Sequence, residues 1–193
     1  DMEHGDMKKL LAGFCLPSLA AGLVTSFYNI VDQIFIGRTL GMAGNAATNV
    51  VFPAVTLITA LSLMCGVGSS AAMNLARGRG DEERARRSAA AGFSLMLLCG
   101  GAMSAAMLCR TAPLLYLFGC TDQILPYAEP YAAITALGFI FAMTGAAGPF
   151  LVRADGAPKY ALACTVSGAL LNVVLDALFI LVFRWGIAGA AWA

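Results

Sequence analysis

The chain alternates long apolar runs with short polar gaps. Five runs, residues 10–36, 46–75, 88–108, 127–152 and 160–183, carry almost no charge, and a sixth opens at Gly186 and reaches Ala193. Each of the five meets the ~20 residues that an α-helix needs to cross hydrocarbon. They lack the strict alternation and ~10-residue length of barrel strands. The first run is too long for a signal-peptide core and precedes no small-residue cleavage site. The pattern therefore predicts an all-α fold, a polytopic transmembrane helix bundle of five complete spans plus the start of a sixth.

Polar positions inside the runs are few and ordered. In the first run Ser18, Gly22, Thr25, Asn29 and Asp32 fall on one stripe at helical spacing, with Gln33 beside them. Pro17 in the same run removes one backbone hydrogen bond and predicts a kink. In the fifth run Thr165, Gly168, Asn172 and Asp176 make a second stripe, the last two being four residues apart and so on one face. The small residues Gly66, Gly68, Ser69 and Ser70 of the second run, near Asn49 and Pro53, suit close helix packing. Glu129 belongs to the outer interface. The fourth run closes at Gly148-Pro149, before the turn-forming segment 153–159.

The gaps set an orientation. Nine of the twelve Lys and Arg lie at the N-terminus (Lys8, Lys9), in the second gap (Arg77, Arg79, Arg84, Arg86, Arg87) and in the fourth (Arg153, Lys159). The other gaps hold one each, Arg38, Arg110 and Arg184. Short positive loops stay in the cytoplasm, so the N-terminus and the second and fourth gaps are expected inside, in a plasma (inner) membrane protein. In the second gap Gly80 ends one helix and Asp81 caps the next, with Glu82 and Glu83 in its first turn. That gap predicts a short surface helix leading into the third span, and its mixed charges mark topology and not nucleic-acid binding.

Composition agrees: 60% of the 193 residues are hydrophobic and 12% charged, against about 25% charged in soluble domains. The six cysteines (15, 65, 99, 109, 120, 164) show no CxxC or metal spacing, and His4 stands alone. They are read as packing residues, and no metal or cofactor is expected. Asp32 and Asp176 are the two acids that fall within predicted hydrocarbon. A charge at mid-membrane costs ~2.5–3.5 kcal/mol or more and marks a functional position by default. Both spans run in the same direction and both acids lie near the outer end, so the two reach similar depth. With Asn172 they can converge on one site of hard oxygen ligands, suited to H⁺ or Na⁺. Neither acid sits in the Tyr-Asp or Gly-x-Gly-Asp pairs of intramembrane proteases, and no Ser-His pair occurs, so no enzyme is expected.

Several segments together resemble the multidrug and toxic compound extrusion (MATE) family, in its MepA-like or DinF-like bacterial branch. Leu16-Pro17 and Tyr28-Asn-Ile-Val-Asp-Gln-Ile-Phe-Ile-Gly37 are similar to the family's first helix and its exit. Leu75-Ala-Arg-Gly-Arg-Gly-Asp-Glu-Glu-Arg-Ala85 is similar to a cytoplasm-facing element, and Arg153-Ala-Asp-Gly-Ala-Pro-Lys-Tyr160 to the fourth loop. Gly168-Ala-Leu-Leu-Asn-Val-Val-Leu-Asp-Ala-Leu-Phe-Ile180 resembles the fifth helix, and Gly186-Ile-Ala-Gly-Ala-Ala191 the start of the sixth. The order holds over essentially the whole chain.

The resemblance implies an antiporter of two six-helix lobes that exports organic, mainly cationic, drugs or toxic metabolites against an H⁺ or Na⁺ gradient. It maps the cation-coupling site onto Asp32, Asn172 and Asp176, with Pro17, Asn29 and Gln33 in support. Two departures stand out. Ala177 occupies a position where many relatives carry proline, and the chain stops inside the sixth helix, so 1–193 is expected to be an N-terminal lobe whose C-terminal partner lobe, with a hydroxyl residue that helps the cation site in some members, lies beyond it. The alternative is a lipid-linked oligosaccharide flippase of the same superfamily, which would call for cationic residues within the spans. Expected partners are small molecules, membrane lipids and the second lobe, and no nucleic acid.

Overall fold

The computed structural model describes the backbone of residues 7–192. It leaves aside the side chains of 7–12, 14, 28, 32, 35, 36, 38–41, 43 and 181. Among the described residues the secondary structure is helical, with no strand. In chain order the elements are α1 (Met7–Gly78), α2 (Glu82–Cys109), α3 (Thr111–Leu117), α4 (Leu125–Ala154), α5 (Pro158–Asp176), a π-helical segment (Ala177–Val182) and α6 (Ile187–Trp192). The chain is a polytopic helical bundle.

The first two predicted spans share one helical backbone. A helix break was expected between 36 and 46, yet α1 runs without interruption for 72 residues. The linking sequence, Gly37-Arg-Thr-Leu-Gly-Met-Ala43, contains no proline, so nothing there removes a backbone donor. A straight helix of that length would measure about 108 Å, more than three times the ~30 Å hydrocarbon core. Of its two apolar stretches, Gly44–Gly78 is long and apolar enough to cross, while Cys15–Val31 is shorter, so among the described residues four helices and not the expected five reach crossing length. Glu82–Cys109, Leu125–Ala154 and Pro158–Ile180 are likewise long and apolar enough to cross.

Three further boundaries differ from expectation. The surface helix predicted near 81–87 is the first part of α2 itself, because no Gly or Pro separates Glu82 from Ala91. The Asp81 side chain accepts a hydrogen bond from the Arg84 N–H at 2.9 Å, as an N-cap should, and Gly80 supplies the left-handed turn before it, φ 76°. α4 passes through Pro149 and ends at Ala154 instead of at Gly148-Pro149, the ring being tolerated inside a membrane helix. The gap 110–126 contains a helix, α3, closed by backbone bonds from Gly119 to Tyr116 and from Cys120 to Leu115.

Small side chains set the packing. α4 buries Ala128, Ala132, Ala136, Phe139, Met143 and Ala147, one stripe at three- and four-residue spacing. It joins Ala47, Val51, Ala54, Ile58 and Cys65 of α1 and Met96 and Met107 of α2 in a single core. In lipid such contacts replace the hydrophobic effect as the source of helix association. The approach is close: a β-carbon on Gly66 would lie 3.0 Å from the Ala147 carbonyl oxygen, and one on Gly100 3.0 Å from the Ile140 Cα.

Beyond the core, one end of the bundle is tied by charge. Arg77 in the last turn of α1 donates to the Ala154 carbonyl oxygen at 3.1 Å and to Asp155 Oδ1 at 2.6 Å, joining α1 to the end of α4.

Candidate functional site

α5 carries the acid that the bundle buries. Asp176 is fully enclosed, with no exposed surface. Asn172, one turn earlier, has its Oδ1 buried and without a hydrogen-bond partner. A buried amide oxygen left in that state costs of order 1–3 kcal/mol, a cost that a bound cation or proton donor would offset. The lower part of the expected stripe contributes less. Thr165 spends its hydroxyl on the Ala161 carbonyl oxygen at 3.0 Å, and Gly168 is exposed.

α5 changes its winding directly after Asp176. From Ala177 to Val182 the backbone is π-helical, and the Ala177 N–H donates to the Val173 and Val174 carbonyls. A proline at 177 could make neither bond. A π segment inside an α-helix is rare and recurs at functional sites. It is followed by a stacked trio: the Phe179 ring lies 5.1 Å from Trp185 and 6.1 Å from Phe183. Arg184 between them takes a left-handed backbone, φ 54°. Gly189 of α6 packs on the same turn, where a β-carbon would lie 3.0 Å from the Phe179 carbonyl oxygen. None of this was read from the sequence; the alanine at 177 was its only signal.

The first half of α1 has three faces. Leu16, Leu19, Leu23, Phe27, Ile30 and Ile34 form an exposed apolar stripe, as a lipid-facing side requires. Pro17, Ser18 and Thr25 are half-buried and Ala21 is buried, marking the side turned to the bundle. Gly22, Ser26, Asn29 and Gln33 line a third, exposed face. Local bonds satisfy much of its polarity: Asn29 Nδ2 donates to the Thr25 carbonyl oxygen at 2.9 Å, and Ser26 Oγ to that of Gly22 at 3.0 Å. The expected stripe thus straddles two faces, and Asn29 and Gln33 do not join Asp176 in the interior. The Asp32 side chain lies outside the described residues.

Within the gap 110–126, Tyr116 donates its hydroxyl to Asp122 Oδ1 at 2.6 Å. That bond holds the phenol above its ordinary range. Burial likewise raises the Cys120 thiol.

Known proteins give this arrangement a lineage. The family model MatE matches residues 17–178. "Probable multidrug resistance protein YpnP" of Bacillus subtilis is 28% identical over 195 residues, covering all of this chain and 43% of that protein. "Multidrug export protein MepA" of Staphylococcus aureus is 24% identical, with 98% of this chain and 42% of that protein aligned. Among solved structures, an outward-facing multidrug resistance MATE family transporter of the MOP superfamily superposes with a TM-score of 0.90 at 30% identity, over 97% of this chain and 42% of that one. A MOP superfamily transporter from Pyrococcus furiosus, described by the reversed polarity of its binding pocket, gives 0.88 at the same identity. The chain therefore spans less than half the length of the relatives it matches. By the extent of the family match, and by the agreement in fold, this chain belongs to the MatE family.

Proposed function

We propose that this chain forms the amino-terminal lobe of a cation-coupled multidrug efflux antiporter, in which H⁺ or Na⁺ and drug occupy the lobe in alternation. The observation that carries the reading is the pairing on α5 of a fully buried carboxylate, Asp176, with the buried, unsatisfied Oδ1 of Asn172. Buried acids in membrane helices mark ion and proton pathways. Asp32 of α1 is the third member, and Pro17, Asn29 and Gln33 support its helix. The exported compounds are organic cations or neutral toxic molecules. The reading is transport, with no bond made or broken. The protein sits in the plasma membrane with its N-terminus and the 79–81 and 155–157 turns in the cytoplasm, because basic residues gather there. The flippase alternative is not favoured: it calls for cations within the spans, whereas Arg38 lies between the two apolar stretches of α1 and the Lys and Arg from 77 onward lie near helix ends or in turns.

The test uses the full-length protein in vesicles with an imposed pH or Na⁺ gradient. Asp32→Asn and Asp176→Asn should each abolish gradient-driven efflux of a cationic dye. Efflux that keeps both its rate and its gradient dependence in either variant would remove that residue from the coupling site.

A further inference from the structure

The end of the bundle tied by Arg77 also encloses a cleft of about 600 Å³, bordered by Ser70, Asn74, Arg77, Phe150, Arg153 and Asp155. Its two guanidinium groups differ. Arg77 is engaged by Asp155 and Ala154, and its Nε lies 3.7 Å from Glu82. Arg153 instead lies over the Phe150 ring, 5.5 Å from its centroid, and forms no ion pair among the described residues. Asp155 is already committed to Arg77, so it does not neutralise Arg153.

The surrounding face has the same imbalance. Arg77, Arg79, Arg84, Arg86, Arg87, Arg153 and Lys159 meet four acids there. Asp81 caps α2, Glu82 and Asp155 face Arg77, and Glu83 pairs with Arg87. The positive charge left over belongs to groups around the cleft and to Arg153 within it.

An apolar track adjoins the cleft along α1. Ser70 and Asn74 lie on the same helical face as Val67 and Leu63, one and two turns before Ser70, and both of those apolar side chains are exposed. A charged recess continued along one helix face by exposed apolar positions fits a molecule with an anionic head and hydrocarbon tails. A free inorganic anion would have no use for the track.

We propose that this cleft binds the headgroup of an anionic phospholipid from the adjoining leaflet, with Arg153 contacting the phosphate, Asn74 and Ser70 hydrogen-bonding its oxygens, and the acyl chains lying along Val67 and Leu63. Basic pockets between helix ends are a known class of lipid-headgroup site. Arg77 acts by position: held by Asp155, it keeps the ends of α1 and α4 together and so keeps the cleft in shape. The inference does not depend on the coupling ion or on what is exported.

The experiment measures thermal stabilisation of the detergent-solubilised full-length protein by phosphatidylglycerol, by phosphatidylcholine and by inorganic phosphate. Phosphatidylglycerol should stabilise and the other two should not. Arg153→Gln should weaken the apparent lipid affinity about fivefold, the worth of one surface cation, while Arg86→Gln, which removes an equal charge outside the cleft, should leave it unchanged. Asn74→Leu fills the mouth of the cleft without altering any charge, at an exposed position that tolerates it, and should weaken the response as Arg153→Gln does. Equal loss in Arg86→Gln and Arg153→Gln would reduce the effect to general surface charge and overturn the site. Stabilisation by phosphate alone would make it a free-anion site, and no response to phosphatidylglycerol would leave the cleft to be covered by protein; either overturns the proposal.

Discussion

Gly92 of α2 backs onto Ser69 of α1 with no room for a methyl group: a β-carbon there would lie 2.3 Å from the Ser69 Cβ and 2.5 Å from its Oγ. Ser69 cannot turn aside cheaply, because its hydroxyl already donates to the Cys65 carbonyl oxygen at 2.6 Å. Gly92→Ala should therefore push α1 and α2 apart and cost about 1–3 kcal/mol, the usual range for overpacking. Gly101→Ala, one helix position with open space around it, should be neutral or slightly stabilising. Thermal unfolding of the two full-length variants checks this, and equal midpoints would contradict the close approach.

Asn172 and Asp176 should separate in their effects if they share a cation. Asn172→Ala removes a neutral oxygen ligand and keeps the charge, so efflux should persist with an apparent cation affinity lowered about tenfold. Asp176→Asn removes the charge itself, so drug binding at equilibrium should survive while its response to pH or Na⁺ disappears. Titrating dye binding against cation concentration distinguishes the two, and identical curves for both variants would argue against a shared site.

The Arg77 tie predicts a coupling of modest size. The side chains of Arg77 and Asp155 are 32% and 61% exposed, so solvent screens the pair, and a double-mutant cycle with Arg77→Gln and Asp155→Asn should give about 0.5–1 kcal/mol. Arg77→Lys should recover only part of it, because an ammonium cannot reach Asp155 and the Ala154 carbonyl in the forked manner of a guanidinium. A cycle that closes at zero would mean the two ends are held by packing alone.

Alkaline pH should loosen the turn between α3 and α4. The Tyr116 phenol is raised above its ordinary value of 10.0, chiefly because it donates to Asp122. The stabilisation it gives is fully present below pH 10.0 and is lost as pH rises through the raised value. Tyrosinate absorbance of the wild type minus that of Tyr116→Phe should titrate above 10.0, and Asp122→Asn should bring it back toward the ordinary value. A difference curve centred at or below 10.0 would show that the bond does not form.

Much of this protein could be read before its fold. Asp81 and Gly80 announced the α1–α2 turn because a cap and a left-handed glycine are local devices, complete within four residues. The apolar runs located the four helices of crossing length, since length and hydropathy need no knowledge of neighbours. Asn172 and Asp176 could be placed on one face by their spacing alone. Asn29 was harder: its spacing put it on the stripe of Asp32, but whether a position at the edge of a stripe turns inward depends on where the neighbouring helices stand.

What the chain determined by itself was its membrane character, the number of its apolar runs and the positions of its acids, all consequences of local composition and helical period. The unbroken helix through 37–43 and the π winding after Asp176 are seen only in the structure, although the missing prolines at 37–43 and 177 permit both. Tertiary structure alone decided the enclosure of the Asp176 carboxylate and the meeting of Arg77 with Asp155 across 78 residues of sequence. Those outcomes rest on contacts between residues far apart in the chain, where burial and close approach are properties of the packed bundle and of no single segment.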